Sequence, residues 1–260
     1  MAPARTLFSF PIHTRTIAGF MLVMVLGVGV MLPGCAAKND LEPPAVLVSP
    51  YDSTQGDALW AVAPLRNESG TSVPDVLAMT DAVVAKIQET RGLSAVSTNR
   101  VLGAMNAMGL RAVTTPQQAR ELARALGVDA VVAGTITAYD PYDPPTVGLT
   151  LGIYHTDVPG GMLEARRVTA SATEIGTGKE QHPSAVVSEH FDARNHEVLM
   201  SLRRFAMGRT EVNSALHWRG FTANSKLFAQ FAAHETIGRL LDAERIRLAQ
   251  SATKRASAAR

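Results

Sequence analysis

Residues 123–140 read ARALGVDAVVAGTITAYD, and this stretch decides the fold. Its first part closes a helix. Leu122, Ala125 and Leu126 fall at helical spacing, and Gly127 stands where a helix turns left-handed to end. Upstream, Thr115-Pro116-Gln117-Gln118 is a capping box with proline at the first helical position. The second part, from Asp129 to Ala138, is β-branched and nearly all apolar. That composition predicts a central strand covered on both faces.

Working outward towards the N-terminus, residues 58–63 form a short apolar run and predict a buried strand. LWAVAPLRNESG, residues 59–70, then leaves that run at Pro64 for a polar loop. A dinucleotide loop needs closely set glycines so that backbone amides reach a pyrophosphate. Residues 64–72 hold one glycine, so the loop reads as a strand-to-helix turn, with Asn67 and Ser69 satisfying loose backbone groups. Ser72 is the expected N-cap of the next helix, with Pro74 in its first turn. Val76, Leu77, Val83, Val84 and Ile87 share its apolar face, and Gly92 stops it. Residues 93–96 predict a second strand, and residues 100–108 a short helix closed by Gly109. The order is β-α-β-α-α-β, an α/β module of two or three layers.

Beyond it, DPYDPP at 140–145 breaks the chain. Residues 146–154 and 163–175 predict an antiparallel hairpin turning near Pro159-Gly160-Gly161. Residues 185–191 add a possible strand, and helices are expected over 196–208 and 222–249. The domain plan is therefore an α/β domain over 58–192, a C-terminal helical extension over 193–250 and a disordered tail over 251–260.

The first 34 residues have a different character. Arg5, His13 and Arg15 precede IAGFMLVMVLGVGVM, residues 17–31, which carries no charge. Fifteen residues are short for a bilayer span, which needs about 20. A basic start, an apolar middle and small residues at the end predict a signal peptide over 1–34. It ends in Leu32-Pro33-Gly34-Cys35, which resembles the lipobox of bacterial lipoproteins. That resemblance implies lipid on the Cys35 thiol, cleavage before it and acylation of the new N-terminus. Cys35 is the only cysteine in the chain, so no internal disulfide can form. Ala36, where an aspartate would retain a lipoprotein at the inner membrane, implies the periplasmic face of the outer membrane. Residues 35–57, with Pro43, Pro44 and Pro50, read as a flexible tether.

Charge narrows the partners. Removing Arg5 and Arg15 from 25 basic side chains leaves 23 against 23 acidic ones. A neutral mature chain lacks the electrostatic footprint of a nucleic-acid binder.

Enzyme motifs fail on spacing. Gly176-Thr177-Gly178-Lys179 has Thr173 and Glu180 where a phosphate-binding loop needs glycine and a hydroxyl. His196-Glu197 and His234-Glu235 begin like zinc-protease helices, but Met200 and Gly238 replace the second histidine. His190, Asp192 and His196 are the remaining candidate metal cluster. The better reading there is a helix start, with Asn195 as cap and Glu197 at the positive helix end. Trp218 and Phe221 flank Arg219-Gly220; packing is the simpler role, and sugar stacking or partner contact the functional alternative. No catalytic residue, cofactor or metal is expected.

Together, AVAPLRNESG, GLSAVSTNRV and ARALGVDAVVAGTITAYD resemble a group of bacterial envelope lipoproteins. The group includes the flagellar lipoprotein FlgO, the penicillin-binding-protein activator LpoB, the N-terminal domain of TolB and the curli secretion lipoprotein CsgG. The resemblance spans about residues 58–175, with Gly127, Asp129 and Gly134 at the matching motif positions. It implies a non-enzymatic binding, scaffolding or activating role towards an envelope protein. The rival expectations are a CsgG-like secretion-channel subunit and a lipid-tethered hydrolase.

Overall fold

A computed structural model describes residues 43–156, 182–210 and 214–258. The strands are β1 (Ala58–Val62), β2 (Arg66–Asn67), β3 (Leu93–Ala95), β4 (Ala130–Asp140), β5 (Thr146–His155) and β6 (Ala185–Asp192). The α-helices are α1 (Val76–Gln88), α2 (Thr98–Ala107), α3 (Pro116–Leu126), α4 (His196–Ala206), α5 (Gly220–Ala223) and α6 (Ser225–Ala258). They form an α/β fold around one sheet of order β3-β1-β4-β5-β6, with β2 also paired to β4. The β1, β2 and β3 pairings are parallel, and β4-β5 and β5-β6 are antiparallel.

The central strand lies where its composition puts it. Ala130, Val131, Val132 and Ile136 have no exposed surface. Ala130, Val132 and Ile136 belong to one core, and Val131 to the second core on the opposite face. Asp129, just before the strand, is buried for a local reason: its carboxylate accepts the backbone N–H of Leu59 at 2.8 Å. β4 also needs Gly134. A Cβ there would stand 2.1 Å from the Thr150 carbonyl oxygen on β5, so only glycine allows this approach.

The helix on the second core is capped as its sequence predicts. Thr115 accepts from the Gln118 backbone N–H at 3.2 Å, the Gln118 side chain accepts from the Thr115 N–H, and Gly127 has φ +68°. For α1 the expected start is wrong by one turn. Asp75, not Ser72, caps it, accepting from the Ala78 N–H at 2.9 Å. The shift leaves Leu77 47 % exposed and brings Met79 and Thr80 inside. Thr80 ties the loop to the helix, accepting from the Leu65 N–H and donating to the Val76 carbonyl. The helix also ends at Gln88, before Gly92, whose φ of +82° turns the chain into β3.

β5 is central to the antiparallel half, flanked by β4 and β6 along its length. The expected hairpin partner, residues 163–175, and its Pro159-Gly160-Gly161 turn lie outside the described residues. Val147, Leu149, Leu151 and Ile153 are at most 2 % exposed. They share a core with Phe228, Phe231, Ile237 and Leu240 of α6.

The C-terminal helices therefore complete the first core instead of extending from a finished domain. The described residues from Pro43 to Ala258 all fall in one compact unit. Helix α6 continues through Ala258, so residues 251–258 are helical where a disordered tail is expected. The described side chains there are mostly exposed, and alanine and lysine extend a helix at little cost. At the other end, part of the expected tether lies on the fold. Leu47 packs on the first core, its carbonyl accepts from the Arg91 N–H at 2.9 Å, and the Ser49 N–H donates to the Arg91 carbonyl at 3.0 Å. We call this docked stretch, residues 44–51, the strap.

Candidate functional site

Cys35 and Gly176-Thr177-Gly178-Lys179 lie outside the described residues. The loop after β1 carries a short strand, β2, that the sequence reading misses. Its turn is self-satisfied: Asn67 accepts from the Ser69 N–H at 3.1 Å and from its hydroxyl at 2.7 Å, and donates to the Thr71 carbonyl. His190 and Asp192 are on β6, and Asn195 caps α4 by accepting from the Glu197 N–H at 2.9 Å. Arg194 hydrogen-bonds Asp192 through its backbone N–H and its side chain, which holds the carboxyl below its usual range. Among the described residues no three His, Cys, Asp or Glu side chains come together as a metal site. Also among them, no helix is long and apolar enough to cross a membrane.

Phe221 is buried edge-on to Phe205, at 5.5 Å between ring centroids. Trp218 packs on the same core and is flanked by the guanidinium groups of Arg203 and Arg219 at 5.6 and 5.3 Å. Phe221 is part of the core, whereas Trp218 packs against it and stays half-buried.

Two polar clusters stand out inside. The first centres on Glu244 of α6, whose side chain is wholly buried. It accepts hydrogen bonds from Arg247, from Tyr51 Oη at 3.1 Å, and from His155 Nε2 at 3.0 Å. An ionised carboxylate only accepts, so His155 Nε2 carries the proton. Burial pushes Glu244 up, but Arg247 and His155 outweigh it and hold its pKa at about 2. The cluster joins the strap, the end of β5 and α6, and its bonds are used internally.

The second cluster lines a cleft of about 470 Å³ bounded by the strap, the end of α1, α5 and α6. Pro44, Val46, Leu47, Phe221 and Leu227 give it apolar walls, and Lys86, Glu89, Arg209, Gln230 and His234 give it polar ones. The Lys86 side chain is 5 % exposed and pairs with Glu89 at 2.7 Å. The Arg209 guanidinium stacks 4.3 Å over Phe205 and donates to the carbonyls of Phe205 and Ala45. His234 lies on the same ring, 4.9 Å between centroids. Burial, then the charges of Arg209 and Lys86, hold His234 down to about 4, so it is neutral at neutral pH. The sequence reading weighs His234 only as half of a metal motif. A sharper signal was present: Lys86 falls between the apolar Val83 and Ile87, and His234 between the apolar Phe231 and Ile237.

No family model matches the chain, and no curated protein matches it. Among solved structures it is similar to lipoprotein GNA1162 from Neisseria meningitidis, at 18 % identity over 52 % of this chain and 80 % of that one, with a TM-score of 0.36. It is similar to Escherichia coli LpoB at 17 % identity over 58 % and 77 %, TM-score 0.33. It is also similar to the PelC dodecamer from Paraburkholderia phytofirmans at 11 % identity over 77 % and 94 %, TM-score 0.34.

Proposed function

We propose that this protein is a lipid-anchored module on the periplasmic face of the outer membrane that binds, scaffolds or activates an envelope protein and catalyses no reaction. The observation that carries the reading is Leu32-Pro33-Gly34-Cys35 directly after an uncharged apolar run, with no other cysteine in the chain. The strap adds a physical consequence. Ala45 is fastened by Arg209 at 2.8 Å, so only the residues from Cys35 to Ala45 span the gap to the lipid. Ten residues, fully extended, reach about 35 Å. The domain is then held beside the bilayer, within reach of partners near the membrane. Acyl chains on one cysteine suffice for stable anchoring, because each buried methylene adds about 0.8 kcal/mol.

The channel alternative meets an obstacle in the described residues. The apolar face of β5, the one face suited to lipid, is already buried under the protein's own helices.

Membrane fractionation tests the proposal. The wild-type protein is expected in outer-membrane fractions and the Cys35→Ser protein outside them. An unchanged distribution of the variant would remove the lipid from the account.

A further inference from the structure

The cleft under the strap has the makings of a ligand site that neither the lipid anchor nor the fold requires. His234 is 8 % exposed, and among the described residues its imidazole ring makes no hydrogen bond. Its ring is not sealed in the core, since among the described residues the only fully buried unpartnered side-chain polar atoms are Trp60 Nε1 and Thr146 Oγ1. A neutral imidazole keeps one donor and one acceptor, and both are left to face the cleft. Lys86 spends one of its three N–H donors on Glu89, and Arg209 has N–H groups beyond the two bonds to Ala45 and Phe205.

The charge balance selects the ligand. Two cations and one carboxylate leave a single positive charge. Glu89 is 49 % exposed and screened by water, whereas Lys86 is 5 % exposed and is not. The cleft interior is therefore positive beside an apolar wall. A phosphate dianion would overcompensate one charge, and a cation would be repelled. We propose that the cleft binds a small monocarboxylate on an apolar stem, its carboxylate meeting Lys86, Arg209 and the His234 N–H, its stem lying against Val46, Leu47 and Leu227.

This inference is independent of the anchor, and its failure leaves the lipid reading intact. The test uses the chain from residue 36, which contains the whole compact unit, in NMR titrations that follow the imidazole signals of His234, assigned by loss in His234→Phe. The probes are hexanoate, hexylammonium and inorganic phosphate. Hexanoate is expected to shift the signals saturably, and the other two are not. Lys86→Gln removes a charge-assisted hydrogen bond and should weaken hexanoate about tenfold. Gln230→Glu places an acid on the half-buried wall and should weaken it by a similar factor, without touching the core should Lys86→Gln fail to fold. The proposal is overturned if hexanoate gives no saturable shift, if hexylammonium or phosphate binds as well, or if Gln230→Glu leaves the affinity unchanged.

Discussion

Arg247 grips Glu244 with two prongs, Nε to Oε2 at 2.7 Å and Nη2 to Oε1 at 2.6 Å. The bidentate pair, one turn apart on α6, keeps a carboxylate ionised with no exposed side-chain surface. Its folded pKa of about 2 lies below the ordinary 4.5. Its stabilisation is therefore complete above the unfolded value and is lost as pH falls from about 4.5 towards 2. The linkage is worth about 3 kcal/mol. Urea unfolding across that window should show the loss, and Glu244→Gln should lower stability at neutral pH and flatten the acid limb. An unchanged acid limb in the variant would contradict this assignment.

His234 gives a separate window. Its folded value of about 4 lies below the ordinary 6.5. Between those values the unfolded chain holds a proton that the native state refuses. Stability is complete above 6.5 and is lost as pH falls through 4, again by about 3 kcal/mol. His234→Phe should remove the slope between pH 6.5 and 4 while leaving the lower window in place. Unfolding curves that keep the upper slope would show that another group titrates there.

Val132 is wholly buried, whereas Val186 is 57 % exposed on β6. Val132→Asp should cost several kcal/mol, on the order of 3–5 kcal/mol, or force the acid to stay protonated. Val186→Asp should stay within about 0.5 kcal/mol of wild type. Equal melting temperatures for the two variants would place residue 132 outside the core.

Gly134→Ala tests the crossing of β4 and β5. The added methyl would meet the Thr150 carbonyl at 2.1 Å and Leu151 Cδ2 at 2.7 Å. Backbone cannot yield there cheaply, so a loss of about 1–3 kcal/mol is expected. Gly103→Ala, with nothing within 4 Å and a helical position, should be neutral or stabilising. Thermal melts of the pair decide the matter.

Legibility in the sequence followed the range of the interactions. The cap at Thr115, the left-handed Gly127 and the cap at Asn195 are local, and each was readable from a few residues. The run 129–138 was readable as central because no polar face interrupts it. The start of α1 was not: Ser72 and Asp75 are both good caps, and only the pairing of β2 with β4 decides between them by lengthening the loop. Nor was the docking of α6, because what covers Leu149 and Leu151 is set by packing across nearly 80 residues of chain. The cleft was hidden for the same reason. Lys86, Arg209 and His234 come from three distant segments and meet only around Phe205.

The most direct measurement concerns Cys35. Cells expressing the full chain are fed an alkyne-tagged fatty acid, and the protein is isolated and compared with Cys35→Ser. The lipid-anchor account predicts label on the wild-type protein, none on the variant, and a variant that keeps its first 34 residues. Label of equal strength on the variant, or none on the wild type, would contradict it.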